Sequence, residues 1–189
     1  ARDEPGARVR LLHACRARAG RRTRAREEQR ARQFFFQNGD DASAYVVNPS
    51  CQRQDTYGWT VENSGTNTGE ASDGVASNAY WNLWKGSAFT SSMTQDISYL
   101  PEGRYSARAL LRGNAAADIS LTATIVDPDG KVKESQATSI TPIGASGGNL
   151  RNGWILAETP YVTVRPGQVL RIAMRAAITG GSGWWSADD

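Results

Sequence analysis

Histidine is nearly missing from this chain. Its 189 residues contain one, His13, and none lies beyond residue 33. The commonest general base and the commonest metal ligand are therefore absent from most of the sequence. Cysteine is scarce as well: Cys15 and Cys51 are too few for a disulfide scaffold. Cys51 reads as a small buried thiol, with a bridge to Cys15 as the alternative. No apolar run reaches the roughly 18 residues of a membrane-spanning helix, and the N-terminus lacks the apolar centre of a secretory signal. There is no initiating methionine, so the chain reads as a piece of a longer protein. No Walker loop, His-Glu-x-x-His or Cys-x-x-Cys motif occurs. Carboxylates are scattered, and none sits in an apolar setting that would raise its pKa. Asp127 and Asp129 share a turn and read as turn formers rather than an acid/base pair. Convergence of two carboxylates from distant strands is the one hydrolytic arrangement that spacing leaves open. The expectation is a protein that is not an enzyme.

Charge is unevenly divided. Residues 1–33 hold 11 Arg and no Lys, for a formal charge of +7, whereas residues 34–189 carry −4. The basic pI of about 9.1 therefore belongs to the first segment. The remainder, mildly acidic, offers no nucleic-acid surface. The Ala/Arg/Glu-rich segment has high helix propensity but no sustained apolar stripe. A solvated or partly disordered helical linker, or an out-of-frame start in a GC-rich gene, accounts for it better than a basic arm for nucleic acid or anionic glycan. The expected division is an Arg-rich segment over 1–37 and a β domain over 38–189.

The β domain shows itself in period two. In residues 93–112, Ile97 and Tyr99 alternate with polar neighbours, and Leu100-Pro101-Glu102-Gly103 supplies a proline-preset turn with a glycine free to take positive φ. Beyond it Tyr105, Ala107, Ala109 and Leu111 share one face, against Arg104, Arg108 and Arg112 on the other, with Leu110 the exception. The same grammar predicts strands at 44–47, 58–62, 75–84, 93–99, 104–112, 118–126, 131–139, 153–157, 161–165 and 168–178. The Asp127-Pro128-Asp129-Gly130 and Arg165-Pro166-Gly167 turns lie between them. The predicted class is all-β, a jelly-roll-like sandwich, with Trp59, Ile97, Tyr105, Leu121, Ile125, Ile172 and Met174 in its core.

Aromatic side chains supply the functional signal. On a strand, Tyr80 and Trp84 face one way and Trp81 the other, so part of this cluster must lie at a surface. Indole faces stack on the apolar faces of sugar rings, while amides and guanidinium groups bond the hydroxyls. The candidate sugar site is Tyr80, Trp81 and Trp84 with Asn78 and Asn82, joined by Trp154 and Arg151 from a facing loop. The competing reading makes Trp59, Trp81 and Trp185 ordinary core residues.

Three motifs, in order, carry a resemblance. Asn48-Pro49-Ser50-Cys51-Gln52 followed by Gly58-Trp59 resembles the Asn-Pro-Ser-Phe-Glu…Gly-Trp opening of galactose-binding-like β-sandwich domains. The stretch from Thr94 through Tyr105 is similar to their Gln-x-Ile-x-x-Leu-Pro-x-Gly-x-Tyr strands, and Trp184-Trp185-Ser186-Ala187-Asp188-Asp189 to their closing motif. Such domains are similar to carbohydrate-binding modules of surface and secreted glycan-active proteins of Bacteroidetes and other bacteria. The resemblance implies a non-catalytic, monomeric ancillary module, extracellular or on the cell surface, whose partners are a glycan or polysaccharide and neighbouring domains. A structural spacer without a sugar site is the alternative. The resemblance also implies a structural calcium ion held by Gln52 and Asp188. Gln52 stands where the family has glutamate, which lowers the negative charge available to that ion. It further implies that the sequence stops where the family continues into a final core strand.

Overall fold

The structure, a computed structural model, describes residues 7–8, 42–49, 56–63, 80–114, 117–142 and 153–188. Its strands are β1 (Ala7–Arg8), β2 (Thr60–Asn63), β3 (Trp81–Lys85), β4 (Phe89–Ile97), β5 (Gly103–Ser106), β6 (Arg108–Gly113), β7 (Ala117–Val126), β8 (Val132–Ile140), β9 (Ile155–Glu158), β10 (Val162–Val164), β11 (Val169–Ile178) and β12 (Gly183–Asp188). A five-stranded back sheet runs β2-β4-β11-β7-β8, and a four-stranded front sheet runs β3-β12-β6-β9. The short strands β1, β5 and β10 form a third sheet. The class is the expected all-β sandwich. Cys15 and Cys51 lie outside the described residues, as does all of the Arg-rich segment except β1, which pairs in parallel with β5.

Alternation decides which side chains fill the space between the sheets. Ile119, Leu121, Ala123 and Ile125 of β7 point inward, and so do Leu170, Ile172, Met174 and Ala176 of β11. From the front sheet, Leu83, Leu111, Trp185 and Ala187 meet them. All seven core residues expected from the sequence are buried. A Trp185–Ser91 bond of 2.6 Å crosses the core from β12 to β4, so the buried indole N–H is satisfied by the opposite sheet. Replacing Trp185 by Phe should lower stability by about 1–3 kcal/mol, because a buried hydroxyl loses its partner. A denaturant melt of the variant reads this directly; an unchanged midpoint would mean that the bond contributes nothing.

The structure departs from the expected elements in several places. Residues 44–47 are not a strand; Ser43–Tyr45 is a 3-10 turn. Its continuation is fixed by Gln95, whose side chain accepts from Val47 N at 2.7 Å and donates to Val47 O at 2.9 Å. The predicted strand 104–112 is two strands. The chain leaves the small sheet and joins the front sheet at Ala107, which exchanges bonds of 3.0 and 2.9 Å with Thr159. Positive φ before β5 falls on Tyr99 (66°) rather than on Gly103. Tyr105 closes this corner by donating to Pro101 O at 2.7 Å. Burial, with the neighbouring Tyr45 phenol second, pushes its hydroxyl above the ordinary range and keeps it a donor. Gly183–Asp188, absent from the predicted strands, lies inside the front sheet between β3 and β6.

The two proline turns behave as expected. Gly130 and Gly167 take φ of 82° and 81°. Asp129 accepts from Lys131 N, and Asp127 accepts from Gln168 Nε2 at 2.7 Å, tying the two hairpins together. Hydrogen bonds, from Gln168 to Asp127 and from Lys131 to Asp129, hold both carboxyls below their ordinary range. They are turn formers.

On the outer face of the back sheet, Asp96 and Arg171 stand opposite each other in register. They form a two-pronged ion pair, with Nε to Oδ1 at 2.7 Å and Nη2 to Oδ2 at 2.8 Å. The hydrogen bond from Arg171 lowers the Asp96 pKa below 3.8 against the opposing effect of partial burial, with the charge attraction adding to it. A carboxyl depressed on folding contributes stability above its unfolded value, and that contribution is lost as pH falls through the folded value. The difference in melting temperature between the wild type and Asp96→Asn should therefore be constant from neutrality to about pH 5 and vanish in strong acid. Both partners are nearly half exposed, so the effect is at most about 1 kcal/mol. A difference that persists undiminished in strong acid would contradict the assignment.

Candidate functional site

Strand parity places the aromatic cluster. Trp81 and Leu83 of β3 point into the core, so Asn82 and Trp84 point out from the front sheet. On β12, Trp185 and Ala187 point in, while Trp184, Ser186 and Asp188 face the same side as Asn82. Register makes these into rows. Trp184 is level with Trp84, and Ser186 lies between Asn82 on one side and Arg112 on the other. Ser186 Oγ donates to Asn82 Oδ1 at 3.0 Å, fixing the amide so that its NH₂ faces away from that contact. Trp84 is 48% exposed, while Tyr80, Asn82 and Trp184 are half-buried.

Arg112 lies under this surface. The alternation of β6 puts it on the solvent side, yet it is only 4% exposed. Its guanidinium carbon lies 4.4 Å from the Trp154 ring centroid, 4.6 Å from that of Tyr80 and 5.6 Å from that of Trp184. Tyr80 and Trp154 meet edge to face at 5.5 Å. Rings held over a cation attract it through their negative faces, and more strongly when water is excluded. The result is a small packed layer outside the sheet, with Arg112 at its centre and the Trp84–Trp184 pair at its open side. Farther along the sheet, Arg108 is paired with Glu158 at 2.6 Å.

The expected site residues separate accordingly. Tyr80, Trp84 and Asn82 come together on one face. Trp81 does not belong to them: it is 3% exposed on the opposite side of β3, because strand parity turns it inward. Trp154 immediately precedes β9 and is buried as a wall beside Arg112, so it is not an open platform. Asn78 and Arg151 lie outside the described residues, as does Gln52. Asp188 is buried on the outer face of β12, level with Leu110. Among the described residues no three His, Cys, Asp or Glu side chains converge on a common point. Arg112 and Trp184 were not among the expected site residues. The adjacent Trp184-Trp185 pair carried the signal for one of them, since neighbours on a strand must face opposite ways.

A surface of this kind can receive a flat apolar face on Trp84 and Trp184 and donate hydrogen bonds from Asn82. Among the described residues no helix is long and apolar enough to cross a membrane. Neither a protein-family model nor a curated protein matches the chain. Solved structures do. One is the carbohydrate-binding module TmCBM61, solved in complex with β-1,4-galactotriose: 19% identical, TM-score 0.59, with 77% of this chain and 94% of that one covered. The second module of carbohydrate-binding family 16 is 12% identical, with TM-score 0.54 and coverage of 77% and 96%. The enzymatically active domain of bacteriophage CBA120 tailspike protein 4 is 19% identical with TM-score 0.56, and the match spans 76% of this chain but only 20% of that one. At these identities the likeness establishes the fold: the chain has the β-sandwich found in carbohydrate-binding modules.

Proposed function

We propose that the chain is a non-catalytic carbohydrate-binding module whose site is the outer face of the front sheet. The observation that carries this reading is a half-exposed Trp84 beside Trp184, next to an amide already oriented by Ser186. A sugar ring lying on the indoles buries C–H surface, and the Asn82 NH₂ donates to a hydroxyl. Tyr80 and Arg112 support the platform from below, and Asn78 and Arg151 are proposed as further hydroxyl partners. So open a site gives weak affinity, on the order of 0.01–1 mM or about 4–7 kcal/mol. The sandwich of the structural neighbours supports the class. The motif resemblance supports a place as an ancillary module of a larger extracellular or cell-surface glycan-active protein of the Bacteroidetes kind.

A glycan array probed with the full chain beside Trp84→Ala tests the proposal. Glycan signals that Trp84→Ala removes are expected; no signal on any glycan would favour a structural spacer. Calcium at Gln52 and Asp188 is a separate proposal, supported by the resemblance and by the buried carboxylate of Asp188. Calcium should raise the melting midpoint relative to chelator, and equal midpoints would remove the ion from the account.

A further inference from the structure

The back sheet carries a groove that the front-face reading does not use. It has a volume of about 540 Å³ and is lined by Gly58, Thr60, Glu62, Thr94, Asp96 and Arg171, with Gln95 at its edge. Thr60 is level with Thr94, and Asp96 with Arg171, so the floor is an ordered polar lattice fixed by strand register. Gly58 forms the wall at φ 84°, and a Cβ there would meet Val47 Cγ1 at 2.5 Å, so the wall is packed against the 42–49 segment.

The chemistry of the floor selects its occupant. Each oxygen of Asp96 takes one bond from Arg171, which leaves carboxylate lone pairs beside the other three guanidinium N–H groups. Adjacent acceptors and donors of this kind suit a vicinal diol, in which each hydroxyl donates to the carboxylate and accepts from the guanidinium. Thr60 and Thr94 add hydroxyls. The charges of Glu62, Asp96 and Arg171 sum to −1, which disfavours a polyanion. β4 and β11, which carry Asp96 and Arg171, are each paired on both sides, so the backbone beneath the ion pair has no free ladder for an added peptide strand; β2 is the edge strand of this sheet. Two exposed aromatics stand at the same end of the β2–β4 pair: Tyr57, just before Gly58, at 59%, and Tyr99, just past β4, at 86%. Tyr99 is held at φ 66°, a conformation that a bulky residue seldom adopts without a reason in its surroundings.

We infer that this groove is a second saccharide site, independent of the front face, which takes a neutral polyhydroxylated chain by hydrogen bonding to Asp96 and Arg171, with the tyrosines at one end. The ligand class rests on the proposed function; the location does not.

The test is an amide-shift titration of the full ¹⁵N-labelled chain with β-1,4-galactotriose and with cellotetraose. Shifts at Thr60, Thr94, Asp96 and Arg171 are expected in addition to those around Trp84. The groove set should survive Trp84→Ala. Arg171→Met should weaken it by about tenfold or more while leaving the Trp84 set unchanged. Shifts confined to the Trp84 face would overturn the groove and keep the front site. So would groove shifts that disappear with Trp84→Ala or persist unchanged in Arg171→Met. Shifts in the groove alone would uphold it and overturn the front site, and shifts on neither face with either trisaccharide or tetraose would overturn both.

Discussion

Truncating Leu121 to alanine should destabilise the protein by about 2–5 kcal/mol, the cost of lost burial plus a cavity that a close-packed core cannot fill. For a chain of this size the melting temperature should fall on the order of 5–15 °C. Leu121 is fully buried on β7, in register with Met174 on β11, its neighbour in the middle of the back sheet. The adjacent Thr122 points to the outer face, so Thr122→Ala should stay within about 0.5 kcal/mol. The pair is informative because a one-residue slip exchanges the two faces. A large effect at Thr122 with none at Leu121 would show that the register of β7 is inverted.

The second large effect is on binding. Trp84→Ala should weaken glycan affinity by about tenfold or more, and the double variant Trp84→Ala/Trp184→Ala should abolish measurable binding, because truncated aromatic anchors at a small site dominate its energetics. Stability should hardly change in the single variant, since about half of the Trp84 side chain is already in water. Calorimetric titration beside a thermal melt separates the two. Retained affinity in the double variant would move the site off the front sheet. Lost affinity accompanied by a collapsed melt would make Trp184 a structural residue.

Much of the sandwich was legible because period-two alternation is a local property. Ile119 to Ile125 and Leu170 to Met174 announce a buried face without reference to any partner, and proline–glycine pairs mark the hairpins between them. Which parity faces the core is a tertiary fact. The sequence around Tyr80 says that Trp81 opposes Trp84, and only β12, packed between β3 and β6, makes Trp81 the inward one. β12 itself was missed, because Gly-Trp-Trp-Ser-Ala-Asp has no β-branched residue and no clean alternation. The burial of Arg112 was not legible for a related reason. Its own strand places it toward solvent, and its burial depends on Tyr80, Trp154 and Trp184, which come from distant parts of the chain. The break at Ala107 leaves no mark in the sequence, because alternation runs through it undisturbed; the change of sheet is made by Thr159, some fifty residues later.

A crystal structure of the chain with the glycan that gives its strongest array signal tests the central claim most directly. The account predicts a sugar ring lying flat on the exposed indole of Trp84, beside Trp184, with a hydroxyl within hydrogen-bonding distance of the Asn82 amide. A bound glycan that leaves the indole of Trp84 uncovered would contradict it.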